Sequence, residues 1–252
     1  MKKLVLAVFA VAVLALNGAA FSITDPFYMP EKAHLAGDLT LGFTNHDFQL
    51  ADSFSINGYL QAGITERLTL GLFLGWARIE HFSSGMQDPS ITAKYRIVDG
   101  LSEGFFLDVD AFLSPEIFDS PWNNDGGAAK GATDVGASLK IGSTEMLNNF
   151  TLYAGTGFHH FGHTDRTPSG TAWTLLTGAK YYANEKHSFE LAFHTTSFWG
   201  LGRDHFGVGF DINYAYEFEP NKAALIPFYG AERHNHDITS TIHWGLKTRF
   251  LF

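Results

Sequence analysis

Residues 237–252 constrain the fold most, because apolar and polar side chains alternate there up to a final aromatic residue. One face carries Ser240, Ile242, Trp244, Leu246, Thr248, Phe250 and Phe252, and the other carries Thr241, His243, Gly245, Lys247 and Arg249. A period of two indicates a β-strand. A soluble sheet would cover its apolar face with a second layer. In a membrane barrel that face contacts lipid, and the polar face lines the lumen.

The amino terminus predicts export. Lys2 and Lys3 precede an unbroken apolar run of 13 residues, 4–16, and the small residues 17–20 follow it. This run is too short to cross a hydrocarbon core of about 30 Å, which requires roughly 20 apolar residues. We therefore expect a signal peptide over residues 1–22 and one barrel domain over residues 23–252. Export through the inner membrane would take that domain to the cell outer membrane.

The carboxyl-terminal strand also resembles the assembly signal of bacterial outer-membrane proteins. Trp244, Phe250 and Phe252 are the aromatic residues that carry this resemblance. It implies two partners, the outer-membrane assembly machinery and the outer-membrane lipids.

Composition narrows the alternatives. A formal net charge of −9 makes nucleic acid an unsuitable partner, and the absence of Cys means that no disulfide holds an exported chain together. A closed barrel supplies stability in another way, since it leaves no strand edge unpaired. Composition alone would also permit a soluble β-sandwich.

Alternating runs recur along the chain from residue 34 onward. They cover residues 34–43, 54–64, 67–78, 89–98, 103–113, 132–142, 149–159, 171–182, 187–198, 205–218, 222–231 and 238–252. Tight turns alternate with longer connections, among them 79–88 and 114–131. This pattern predicts an all-β fold, a closed antiparallel up-and-down transmembrane β-barrel of about 12 strands with short periplasmic turns and longer extracellular loops.

The polar face of these runs predicts the lumen lining. Its charged members are Asp38, Lys94, Arg96, Asp108, Asp110, Lys140, Lys180, Glu190, His194, Asp211, Glu217, Lys247 and Arg249. These side chains either pair into a network that fills the barrel or flank a narrow water path. If the path conducts, the six Lys and Arg residues of the periplasmic half would favour anionic solutes.

Four short segments resemble the phenol-degradation (meta-pathway) outer-membrane protein family. They are residues 63–71 (GITERLTLG), 88–96 (DPSITAKYR), 189–197 (FELAFHTTS) and 214–222 (YAYEFEPNK). The resemblance implies a small barrel that passes small, often aromatic or apolar, compounds across the outer membrane. His194 departs from the family pattern, which often has a small residue before its Thr-Ser pair.

Two other functions are kept open. A non-conducting structural or surface-binding barrel needs no path through the lumen. An outer-membrane lipid hydrolase needs a Ser within reach of a His, but His194 and Ser197 are three residues apart and would point to opposite faces of a strand. We therefore expect no enzyme, no catalytic residues and no cofactor, and a small-molecule solute as the transported partner.

The outer loops carry two further expectations. The loop at residues 114–131 is expected to be mobile or to fold inward and constrict the pore. Histidines cluster near three loops that would be neighbours around the rim, and imidazole is a common ligand of Zn²⁺. His159, His163, His234 and His236 form a candidate metal site there. The alternative is that they decorate exposed loops.

Overall fold

Twelve antiparallel strands form a closed barrel in the computed structural model. The structure describes residues 22–46, 52–81, 83–100, 104–120, 128–147, 149–165, 168–200, 205–235 and 240–252. The predicted signal peptide therefore lies almost entirely outside the described residues. No helix of the described residues is long and apolar enough to span a bilayer.

Each strand is long enough to cross a membrane when tilted. The strands are β1 (Leu35–His46), β2 (Ser53–Gly63), β3 (Leu68–Ile79), β4 (Ser83–Val98), β5 (Phe105–Ser114), β6 (Asp134–Leu147), β7 (Phe150–Phe161), β8 (Gly170–Tyr182), β9 (His187–Trp199), β10 (His205–Glu219), β11 (Ala223–His234) and β12 (Thr241–Leu251). Every strand pairs with the next, and β1 pairs with β12. The predicted barrel of twelve strands is confirmed.

The predicted alternation decides which side chains face outward. In β3, Leu70, Leu72 and Leu74 are exposed, whereas Thr69 and Gly71, which alternate with them, are buried on the lumen side. Exposed aromatic residues gather near the strand ends: Tyr95, Phe105, Tyr181, Phe218 and Phe252 at one end, and Phe158, Trp173 and Trp244 at the other. This arrangement is typical of the two aromatic girdles of a membrane barrel.

The connections define two ends, which we call the short-turn end and the long-loop end. β1 begins and β12 ends at the short-turn end, where the backbone of Phe252 pairs with that of Leu35. Two of its turns place Asn149 and Asn221 at φ of 68° and 60°. Asn tolerates this left-handed conformation better than most residues.

One predicted loop is wrong. Residues 83–88, assigned to a loop at 79–88, belong to β4, which begins at Ser83. The register with β3 shifts between Phe73 and Gly75, which pair with Ser90 and Gln87. This bulge accommodates Pro89, which lacks the N–H that a regular ladder requires.

Candidate functional site: the barrel lumen

An amino-terminal segment, residues 22–34, enters the lumen at the short-turn end. Ile23 and Phe27 are 1% and 0% exposed. Ile23 packs among Ala215, Ala224 and Ile226, while the Phe27 ring stacks on Phe106 at 5.4 Å between centroids. Tyr28 also packs against the Ile23 cluster, and burial raises the pKa of Tyr28 to about 12, so its hydroxyl stays neutral. The sequence alone did not decide where this segment lies.

Basic side chains of the wall bind the backbone of this segment. Their donors contact five carbonyl oxygens in order along the segment: Arg249 to Ile23, Lys180 to Thr24, Lys140 to Pro26, Arg96 to Phe27, and Lys94 to Tyr28. The Arg249 and Lys94 contacts measure 2.7 and 3.2 Å. Hydrogen bonds from charged donors are stronger than neutral ones. The segment is therefore held by its main chain, without pairing into the sheet beyond one bridge between Lys32 and Gly63.

Asp25 fixes the middle of the segment through its carboxylate. Its Oδ2 accepts hydrogen bonds from Thr151 Oγ1 at 2.9 Å and from the Tyr182 hydroxyl. Its Oδ1 accepts from the Phe27 N–H at 2.7 Å. These contacts tie the segment to β7 and β8 and also shape its turn.

The lumen wall also contains two groups of buried ion pairs, one around Asp108 and one around Asp38. Asp108, completely buried, contacts Lys94 Nζ at 3.1 Å and Arg96 Nε at 2.9 Å. Where β12 meets β1, Arg249 Nε lies 2.6 Å from Asp38 Oδ1. Buried charges need such partners, because an isolated one pays a large desolvation cost.

The thirteen predicted lumen residues all lie on the inward face by strand register. Six basic residues of the short-turn half, Lys94, Arg96, Lys140, Lys180, Lys247 and Arg249, share it with six carboxylates, Asp25, Asp38, Asp108, Asp110, Glu190 and Glu217. The described side chains of this half are therefore balanced in formal charge. The sequence-based expectation of a net positive path omitted Asp25, which comes from outside the strands.

Lys247 differs from the other basic residues of the lumen. Among the described residues its ammonium has no hydrogen-bond or ion-pair partner, although it lines the central cavity. Asp38 and Glu190 are the carboxylates whose charges act on it. Lys247 is therefore available to a mobile solute in a way that Lys94 and Arg96 are not.

A cavity of about 1020 Å³ occupies the middle of the barrel. Thr24, Asp25, Pro26 and Tyr28 of the amino-terminal segment line it at one end, and Ala128 and Lys130 of the loop after β5 line it at the other. Its wall combines hydroxyl and amide side chains with the rings of Phe73, Phe112 and Phe228. Its volume is in the range of pockets that hold small molecules.

The loop after β5 is anchored by a buried carboxylate at the β4 bulge. Asp88 accepts hydrogen bonds from the backbone N–H groups of Ile117, Phe118, Lys130 and Gly131, at 2.8, 3.0, 3.2 and 3.4 Å. Both described parts of the loop thus turn back toward β4. Ala128 and Lys130 line the cavity, as expected of a loop that folds inward, and residues 121–127 lie outside the described residues.

Rings form an arc across the wall near the long-loop end. His159 contacts the rings of Phe112 and Phe161, at 5.0 and 3.8 Å between centroids. Phe198 lies between Phe161 and His234, at 6.2 and 6.1 Å. The arc lines this part of the lumen with flat, largely apolar surface.

Imidazoles and carboxylates alternate along β9–β12, in a set that we call the histidine chain: His243, Asp211, His194, Glu232 and His234. His243 Nε2 lies 2.7 Å from Asp211 Oδ1, and His194 Nδ1 lies 3.4 Å from Asp211 Oδ2. Glu232 Oε2 lies 3.9 Å from His194 Nε2 and 3.7 Å from His234 Nε2. The sequence indicated His194 and Asp211 as lumen residues but not their link to Glu232 and His243, which depends on strand neighbours.

The candidate metal residues are not brought together. His159 contacts Asp134 at 3.1 Å, His163 is exposed, His234 joins the histidine chain, and His236 lies outside the described residues. Within the described residues, no three His, Asp or Glu side chains are grouped so as to hold a metal ion. A rim zinc site stays a prediction, testable by calorimetry with wild type and with His159, His163, His234 and His236 all changed to Ala.

The strand register also places His194 and Ser197 on opposite faces. His194 faces Gly209 on the inward side, while Ser197 pairs with Phe206 and Trp173, both on the outward face. The nearest partners of His194 are the carboxylates of Asp211 and Glu232. This geometry gives no support to a Ser-His hydrolase at that position.

Solved structures with a similar fold are outer-membrane barrels. An outer-membrane channel from Pseudomonas putida F1 superposes with a TM-score of 0.70 at 12% identity, covering 94% of this chain and 100% of that chain. The NanC porin gives a TM-score of 0.57 at 12% identity over 85% and 98% of the two chains, and the KdgM porin 0.51 at 8% over 84% and 98%. At these identities the likeness establishes the fold alone.

No family model and no curated protein sequence matches the chain. The resemblance of its short segments to the phenol-degradation family is therefore not confirmed.

Proposed function

We propose that this barrel is an outer-membrane channel through which small solutes pass, and that its amino-terminal segment gates the short-turn end. The observation that carries the proposal is the central cavity of about 1020 Å³, bounded by a segment that is not part of the sheet. A barrel whose interior served only stability would not be expected to retain a cavity of this size. Side chains of the wall pack to close density in a filled interior.

The gate is separable from the barrel wall. The wall's own hydrogen bonds run between neighbouring strands and do not involve residues 22–31. The segment is held instead by side-chain donors on its carbonyl oxygens and by the contacts of Asp25. Its release would open the short-turn end without breaking the sheet, at the cost of exposing Ile23 and Phe27.

The solute class is suggested by the lining. Phe73, Phe112 and Phe228 line the cavity together with hydroxyl, amide and charged side chains. The ring arc continues from Phe112 through His159, Phe161 and Phe198. Flat apolar rings with a few polar groups suit a small aromatic compound. Lys247 adds a free positive charge for a solute that is also anionic.

A reversible lock tests the gate, because the chain contains no Cys of its own. Asp25 and Thr151 contact each other directly, so Asp25→Cys with Thr151→Cys would link the segment to β7. In planar bilayers, the oxidised variant should show low conductance that rises at least to the wild-type level on reduction. Each single Cys variant is the matched control and should not respond to reductant.

Two outcomes would count against the proposal. Equal conductance in the oxidised and reduced states would mean that the segment does not gate the path. A flat current trace in wild type, in the reduced variant and in a variant lacking residues 22–31 would instead favour a non-conducting barrel. This non-conducting structural barrel is the second candidate function. The docked amino-terminal segment supports it too, since a segment held by five contacts to its carbonyl oxygens could seal the lumen permanently.

A further inference from the structure

The histidine chain occupies the lumen wall between the cavity and the long-loop end. Its side chains come from four adjacent strands, β9 to β12, and His243 also lines the cavity. All five are partly exposed, between 13% and 32% of each side chain. A solute that moves along this wall would pass directly over them.

Glycines on the same face leave room for the chain. A Cβ on Gly209 would lie 2.3 Å from His194 Nε2, and one on Gly230 would lie 2.3 Å from both Asp211 Oδ1 and His243 Nε2. Gly207 is similar, at 2.4 Å from Glu232 Oε1. Atoms at these distances overlap, so any side chain at the three positions would displace the imidazoles and carboxylates. The wall is thus built around this set.

Protonation decides the charge of the chain. The two ring nitrogens of His194 face different carboxylates, and only an imidazolium carries a proton on both nitrogens. With three neutral imidazoles, Asp211 and Glu232 give the chain two negative charges. With all three imidazoles protonated, the chain carries one positive charge. Protonation of the three imidazoles therefore reverses the sign of the charge that the chain presents to the lumen.

Among the described side chains of β8 to β12 and β1, few other titratable groups face the histidine chain. Glu190 on β9 and Lys247 on β12 lie on the same wall, toward the short-turn end, and have opposite charges. The flanking strands contribute Ala172, Thr174 and Leu176 from β8, and Thr40, Gly42 and Thr44 from β1, none of which titrates. Among the described side chains, the local charge therefore follows the histidine chain itself.

We infer that the histidine chain is the specificity-determining element of this wall, favouring cationic solutes when its imidazoles are neutral and anionic solutes when they are protonated. The inference rests on the proposed channel function and adds to it the charge class of the solute. Fixed charge acts strongly on ions in a narrow path with low-dielectric walls.

The test is the reversal potential of the refolded full-length barrel in planar bilayers under a KCl gradient, from about pH 8 to about pH 5. Wild type should move from cation preference toward anion preference as the pH falls. Replacing His194, His234 and His243 together with Gln, which does not titrate, should abolish most of this shift. His160→Gln is the matched control, since His160 is an exposed residue of β7 whose register places it on the outward face.

A second variant keeps the inference testable if the triple variant does not fold. Asp211→Asn removes one negative charge and should make the pore less cation-selective than wild type at about pH 8. If wild type conducts but its reversal potential does not change with pH, the inference is wrong and the channel function is still supported. An absence of current at every pH would overturn the channel function, and the inference with it.

Discussion

Arg249 on β12 holds Asp38 on β1 through two parallel hydrogen bonds across the seam where the first and last strands close the barrel. Both contacts, Nε to Oδ1 and Nη2 to Oδ2, measure 2.6 Å. The third nitrogen of the same guanidinium binds the carbonyl oxygen of Ile23 at 2.7 Å. One side chain therefore joins closure of the sheet to docking of the amino-terminal segment. A planar guanidinium can do this because its donors point in several fixed directions.

Arg249→Gln should destabilise the barrel. The Asp38 side chain is 7% exposed and would remain buried without its partner. Removing one member of a buried pair typically costs about 3–5 kcal/mol. Urea unfolding in lipid vesicles would measure this loss. The matched test is the double variant with Asp38→Asn, which should lose clearly less than the sum of the two single variants. Additive losses would mean that the pair is not coupled.

Asp88→Ala should release the loop after β5. Four backbone N–H groups donate hydrogen bonds to the Asp88 carboxylate, and all four would lose their acceptor at once. We expect limited proteolysis within residues 115–131 to accelerate at least about tenfold, as local opening becomes easier by roughly 1.4 kcal/mol or more. Asp119→Ala removes a carboxylate from the same loop without touching these bonds and should leave the cleavage rate near wild type. Equal rates in all three proteins would exclude the anchoring role.

Lys247→Gln should shift ion selectivity toward cations, because it removes the ammonium that has no partner among the described residues. Lys94→Gln should have a smaller effect on selectivity. Lys94 is already engaged with Asp108 and with the carbonyl oxygen of Tyr28. Reversal potentials of the two variants would be compared at the same pH, about 8. A larger shift for Lys94→Gln than for Lys247→Gln would contradict the assignment of the free charge.

Phe252→Ala should impair assembly in cells more than stability after refolding. The Phe252 side chain is 71% exposed, and its backbone bonds to Leu35 do not require the ring. We expect less barrel in the outer membrane of producing cells but little change in urea unfolding of refolded protein. Phe218→Ala removes another exposed ring at the same end and serves as the control. Normal assembly of Phe252→Ala would refute the assembly-signal prediction.

The sequence by itself determined the strands and their faces. A strand has a side-chain period of two, so the polar and apolar positions of β12 and β3 could be assigned without knowing which strands were neighbours. The twelve-stranded closure followed from the number and length of such runs and from the alternation of short and long connections. The bulges, such as the one at Pro89, could not be predicted, because an extra residue in one strand is visible only against its partner.

Tertiary structure decided what the inward side chains contact. The sequence predicts that Lys94, Arg96 and Arg249 face the lumen. It does not predict that they donate hydrogen bonds to the carbonyl oxygens of residues 23–28, because that segment has no strand pattern from which its position could be inferred. Likewise, His194 and Glu232 are 38 residues apart and meet only because β9, β10 and β11 are adjacent in the closed sheet. Local periodicity determines whether a side chain points into the lumen or toward lipid. Its interaction partner depends on which distant strands are neighbours in the closed barrel, and that partner in turn determines its charge and its availability to a solute.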